Sequence, residues 1–148
     1  MNDLYQTNRK LVETYRQQLQ QKIVSLHQAE QSSSDTEIDS QKFYLNFKDR
    51  SIDLVQKETA QLQKECAKSD NCHLLLLKQT VLVDTLVQAS FYSAVWYFNH
   101  QNNQEWTTHT VPIAIIARGG YGREEMYFRS DVDIQIASQS TLSEKDKK

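Results

Sequence analysis

All three glycines of this 148-residue chain fall between positions 119 and 122, and its single proline stands at 112. Glycine and proline let a backbone reverse tightly, so a chain that lacks them elsewhere cannot be built from many short strands. It reads instead as long helix with few reversals, followed by one segment where the backbone turns sharply. The fold class expected is α+β. A helical region at positions 1–104 precedes the first two strands of a sheet at 105–148, and that sheet is expected to be incomplete.

The helices show in the spacing of apolar residues. Leu4, Leu11, Tyr15, Leu19, Ile23 and Leu26 recur at helical intervals and predict one face of a helix over about 3 to 30. QSSSDTEIDS follows as a polar connection, and Asp39 or Ser40 is suited to cap a second helix by accepting a backbone N–H. That helix, with Tyr44, Phe47, Leu54, Val55, Leu62 and Cys66 inward, is predicted to end near 68, where SDN offers a turn. The third, about 73 to 99, is apolar nearly all round and predicts a central helix buried against the other two. Lys78, Gln79, Asp84 and Gln88 interrupt it, which argues against a membrane span. Phe91, Tyr92 and Trp96 read as its core.

Composition narrows the function classes. A net charge of −2 and a pI near 6.1 give no basic footprint for nucleic acid. The N-terminus lacks an apolar signal core, so the expectation is a cytoplasmic protein. Cys66 and Cys72 lack the spacing of a zinc or redox motif and read as isolated thiols. His27, His73, His100 and His109 likewise have no partners at metal spacing.

The chemistry lies after position 110. VPIAIIA has the β-branched, small-residue character of a buried strand, with Pro112 at its start where a missing N–H costs little. It runs into RGGYGREE, where residues without Cβ let a backbone approach a phosphate. A short helix beginning at Tyr121 would present N-terminal amides to an anion. DVDIQIA then alternates, placing Asp131, Asp133 and Gln135 on one strand face and Val132, Ile134 and Ile136 on the other. Two neighbouring carboxylates repel, and a divalent cation removes that penalty; magnesium takes carboxylate oxygens together with substrate phosphates. Arg118, Arg123 and Arg129 surround the turn and suit either phosphate contacts or surface ion pairs. Tyr121 and Tyr127 stay open between core packing and, as aromatics beside a nucleotide site, stacking on a base. A hairpin turn and a solvated strand face would explain either half alone, and remain open for any single residue, but the two in this order favour the phosphate and metal reading.

The segment GGYGREEMYFRSDVDIQI resembles the polymerase-beta-type nucleotidyltransferases, and most of all the PII-protein uridylyltransferases. Their pattern is Gly-Gly-Tyr-Gly-Arg-Gly-Glu-Leu, three variable positions, then Ser-Asp-Ile-Asp-Leu. Gly119, Gly120, Tyr121, Gly122, Arg123, Glu125, Ser130, Asp131 and Asp133 match it. Glu124 replaces a usual glycine, Met126 a leucine and Phe128 a frequent proline. RSID at 50–53 is similar to an Arg-x-x-Asp stretch in that family's lead-in helices. The resemblance implies magnesium-dependent transfer of a nucleoside monophosphate from a triphosphate, UTP favoured, to a hydroxyl on a PII-like signalling protein. It implies Asp131 and Asp133 as catalytic metal ligands. It implies Gly119, Gly120, Tyr121, Gly122, Arg123 and Ser130 as the phosphate-binding set.

The superfamily also uses a third carboxylate on a later strand. Beyond Asp133 the only acids are Glu144 and Asp146, in a polar tail without strand pattern. The expectation is therefore a partial enzyme with little transferase activity alone. The competing expectation is a non-catalytic helical interaction module that keeps a degenerate nucleotide-binding start.

Overall fold

The computed structural model describes residues 2–31 and 40–139. Three long helices come first: α1 (Asn2–Gln31), α2 (Ser40–Cys66) and α3 (Cys72–Asn102). They are followed by strand β1 (Ile113–Ala117), a single helical turn α4 (Gly119–Gly122) and strand β2 (Ile134–Ser138). The fold is α+β: mostly helix, then a two-stranded antiparallel sheet. Asp39, one of the two predicted caps of α2, and the acids Glu144 and Asp146 lie outside the described residues.

The apolar surface of α3 has its reason in packing, since α3 lies against both α1 and α2. Its Leu75, Leu77, Val81 and Leu82 meet Val12 and Leu19 of α1 and Leu62 of α2 in the main core. By length and composition α3 could cross a membrane, yet about half of it is buried inside the helical unit. Asn71 caps its start, the side chain accepting from Leu74 N at 3.2 Å. At the other end α3 runs past the predicted stop. It closes where Asn103 takes a left-handed conformation (φ 50°) and donates its N–H to Asn99 O.

The inward faces differ from the predicted ones by a small rotation. On α1 Val12 is buried while Leu11 is 47% exposed, and Asn8 is nearly as deeply buried as Leu19. Polar contacts explain the shift. Asn8 and Asn71 exchange side-chain hydrogen bonds at 3.0 and 3.4 Å, tying α1 to the α3 cap. Arg16 reaches Asp84 of α3 at 2.6 Å. Such a pair satisfies groups that would be costly to bury alone. On α2 Phe43 is buried in place of the predicted Tyr44, and its ring meets Trp96 at 4.3 Å. Tyr92, expected in the core, is half exposed.

The strands correct another expectation. Ile115 pairs with Ile136 and Ala117 with Ile134, as their apolar alternation requires. Their faces, however, are not buried: Ile116, Ile134 and Ile136 are all exposed, Ile136 to 65%. Among the described residues no third strand or helix is layered on the hairpin. The helical unit grips the segment between the strands instead. Tyr121 and Met126 are buried against Val83 and Val87 of α3, and Phe128 packs on the main core.

Candidate functional site

After β1 the backbone reverses direction at Gly119, whose φ of +55° is left-handed. Only glycine takes that conformation without strain. The helical turn thus begins at Gly119, not at Tyr121 as predicted, and ends at Gly122. Gly122 N–H donates to Arg118 O at 2.8 Å and Glu125 N–H to Gly120 O at 2.9 Å, closing a compact loop. The amides of Gly119, Gly120 and Tyr121 lie in a first turn, where a helix holds no internal acceptor for them.

Asp133 stands over this turn. Arg118 N–H donates to its carbonyl at 2.9 Å, extending the β1–β2 ladder one step past Ala117 and Ile134. A Cβ placed on Gly119 would lie 2.3 Å from Asp133 Oδ2. The carboxylate therefore occupies the space that glycine leaves open. Asp131 and Asp133 precede β2 rather than lying within it as expected, because β1 has already given way to the turn. Both are exposed, and among the described residues neither makes a side-chain hydrogen bond or ion pair. Ser130 acts locally, its Oγ accepting from Tyr127 N at 3.2 Å and shaping the turn before the aspartates.

The three arginines divide. Arg118 donates to Gln135 Oε1 at 2.7 Å, and Arg123 pairs with Glu125 at 2.9 Å with both side chains exposed. Such surface contacts contribute about 1 kcal/mol or less and release easily. Arg129 has no polar side-chain partner among the described residues. Between positions 118 and 133 three arginines face four carboxylates, so a bare triphosphate meets repulsion unless a cation accompanies it.

Two carboxylates fit a magnesium–nucleotide, because magnesium usually keeps only one or two protein carboxylates and takes phosphate or water oxygens elsewhere. They do not make a cage by themselves: no group of three or more His, Cys, Asp or Glu able to hold a metal occurs among the described residues.

Glu124 carries a feature its sequence position hinted at. Its φ is +60°, left-handed, at the place where glycine is the usual residue of the pattern. Its carboxylate meets Arg9 of α1 at 3.3 Å. A left-handed conformation costs a side-chain-bearing residue about 1 to 2 kcal/mol, and the exposed pair recovers little of it. Glu124→Gly is expected to stabilise the chain by about 0.5 kcal/mol, after discounting the extra freedom glycine gives the unfolded state. Urea denaturation checks this, and a loss of stability would show that the Arg9 pair matters more than the backbone strain.

Tyr121 is turned inward, not outward as base stacking requires. It is 5% exposed, and its hydroxyl donates to Asp84 Oδ1 at 3.1 Å. The opposite oxygen of Asp84 receives Arg16 at 2.6 Å and Gln88 at 3.0 Å. Thr80 Oγ1 accepts Met126 N–H at 3.3 Å and donates to Leu76 O at 2.9 Å. A cleft of about 200 Å³ lies between α1, α3 and the turn, lined in part by Arg9, Arg16, Asp84 and Tyr121. In the sequence Asp84 shows only as an interruption of an apolar helix. A lone acid inside an apolar helix does signal a required partner, but no pattern says that the partner is 37 residues away. Tyr127 remains on the surface, 64% exposed.

Burial and the Asp84 carboxylate push the Tyr121 phenol well above its ordinary range. Burial and Glu58, which accepts the Tyr15 hydroxyl at 3.1 Å, do the same for Tyr15. Both phenols stay protonated in the fold when the unfolded chain begins to ionise, so the unfolded state then binds fewer protons. Stability from these groups is present in full below about pH 10 and is lost as pH rises beyond it. Melting temperature is expected to fall steadily above that pH, and less steeply in a Tyr15→Phe, Tyr121→Phe double variant. Equal slopes would contradict the assignment.

Compared with known proteins, the chain matches no family model, and no solved structure matches it.

Proposed function

We propose that this chain binds a magnesium nucleoside triphosphate, UTP favoured, on the turn at 119–122, as the nucleotide site of a polymerase-beta-type nucleotidyltransferase. The reaction is transfer of a nucleoside monophosphate to an acceptor hydroxyl with loss of pyrophosphate, and a PII-like signalling protein is the favoured acceptor. The observation that carries the reading is the contact between the two halves of the pattern. Asp133 Oδ2 fills the place a Gly119 side chain would take. Phosphates seated on the turn amides would thus lie beside a carboxylate able to share their cation.

The chain's own part is positioning and charge, as in phosphoryl transfer generally. Gly119, Gly120 and Tyr121 offer backbone N–H groups to phosphate oxygens. Arg123 can exchange its exposed pair with Glu125 for a phosphate, and Arg129 stands ready to do so. Asp131 and Asp133 would hold magnesium, whose chemistry when bound is neutralisation of triphosphate charge. Ser130 holds the backbone that brings the two aspartates to the turn.

Saturating magnesium and UTP should raise the melting temperature. At a hundredfold excess over Kd, linkage gives about 2.7 kcal/mol. Asp131→Asn and Asp133→Asn should each abolish the shift without lowering the ligand-free melting temperature. A wild-type chain unmoved by magnesium with UTP or ATP would contradict the proposal. It would favour a second reading, a helical interaction module, to which the exposed Ile116, Val132, Ile134 and Ile136 side chains are suited.

A further inference from the structure

The glycine turn rests on the helical unit through few polar contacts, and one side chain stands at their centre. Asp84 projects from the middle of α3 with its two oxygens engaged in opposite directions. Oδ2 receives Arg16 of α1 at 2.6 Å and Oδ1 receives the Tyr121 hydroxyl at 3.1 Å. Tyr121 lies between Gly120 and Gly122, so its ring cannot move without moving the backbone on both sides. Met126 completes the attachment at the other end of the loop, buried beside Val83 with its N–H on Thr80.

We propose that Asp84 is the positioning residue of the phosphate turn, setting its conformation from the helical unit through the Tyr121 hydroxyl. The inference rests on the nucleotide-binding reading for its use, and the glycine spectra test it apart from that reading. The mechanical basis is the poverty of other restraints. The turn bears three glycines and a left-handed Glu124, and among the described residues the strands beside it are not layered on the long helices. A backbone with that freedom populates several conformations unless something outside it selects one. The carboxylate is itself held in place by Arg16 and Gln88, so its direction is fixed before Tyr121 arrives. Arg16 thereby makes α1 part of the same support.

The chain supplies its own probe, because its only three glycines are the three in the turn. Selective ¹⁵N-glycine labelling therefore gives three amide resonances, all from the site. Asp84→Asn keeps the shape but weakens the charge-assisted bonds, and Tyr121→Phe removes the hydroxyl alone. Both are expected to shift or broaden the glycine resonances and to speed hydrogen exchange at Gly122. Tyr15→Phe is the control, since it deletes a matching 3.1 Å tyrosine–carboxylate bond to Glu58 elsewhere in the fold. It should lower the melting temperature comparably and leave the glycine resonances in place.

Titration with magnesium and UTP forms the second arm. Affinity is expected to fall about tenfold in Asp84→Asn and Tyr121→Phe, as when supporting partners of a ligand site are removed, and to stay near wild type in Tyr15→Phe. Glycine resonances that superimpose on wild type in both variants would overturn the inference. So would displaced resonances with unchanged affinity. A wild type that ignores magnesium and UTP would sink the nucleotide reading alone, leaving the glycine spectra to decide whether Asp84 sets the turn.

Discussion

Leu62→Ala is expected to cost about 3 to 4 kcal/mol of folding stability, in the range found for leucine truncations that leave a cavity in a packed core. Leu62 is 1% exposed and meets the buried leucines of α1 and α3, so its removal opens a hole at the meeting of all three helices. Domains of this size hold only about 5 to 15 kcal/mol in total, and the variant should unfold at markedly lower urea. Leu11→Ala provides the comparison. Periodicity places Leu11 on the buried face, whereas it is largely exposed and Val12 is buried beside it. Its truncation should change stability by about 0.5 kcal/mol or less, as surface substitutions do. Equal losses at Leu11 and Leu62 would contradict the rotation of α1.

The second large effect separates two glycines that look alike in sequence. A methyl on Gly122 would stand 2.8 Å from the Ala117 carbonyl oxygen, a backbone atom at the end of β1. That oxygen cannot move without shifting the strand, so Gly122→Ala should destabilise by about 1 to 3 kcal/mol, the range for overpacking. A methyl on Gly119 meets the Asp133 carboxylate instead, a side chain free to swing aside. Stability then falls mainly by the left-handed backbone term of about 1 to 2 kcal/mol, while the carboxylate is driven out of its place. Gly119→Ala is expected to eliminate binding of magnesium and UTP even below its melting temperature. If it binds as wild type does, the closeness of Asp133 to the turn has no functional meaning.

The order of elements was legible because the signals behind it are local. A run of 118 residues with one proline and no glycine leaves little alternative to long helices, and clustered glycines mark the one sharp turn. The phase of each helix was less legible, since hydropathy assigns Asn8 and Arg16 to water. Both are drawn inward by partners on the α3 side, Asn71 and Asp84, that are distant in sequence. The same blindness hid Asp84, whose importance lies wholly in what it joins. VPIAIIA has the composition of a buried strand, but burial of a strand depends on what lies across it. The glycines and aspartates were legible as a set, while the direction of Tyr121 depended on a carboxylate 37 residues earlier.

The most direct test replaces magnesium by manganese. With UTP present, the paramagnetic ion should broaden the ¹⁵N-glycine resonances, Gly119 first because Asp133 Oδ2 stands against it, and Asp133→Asn should restore them. Three sharp resonances at saturating manganese and UTP, or broadening that survives loss of both aspartates, would contradict a metal–nucleotide site on this turn.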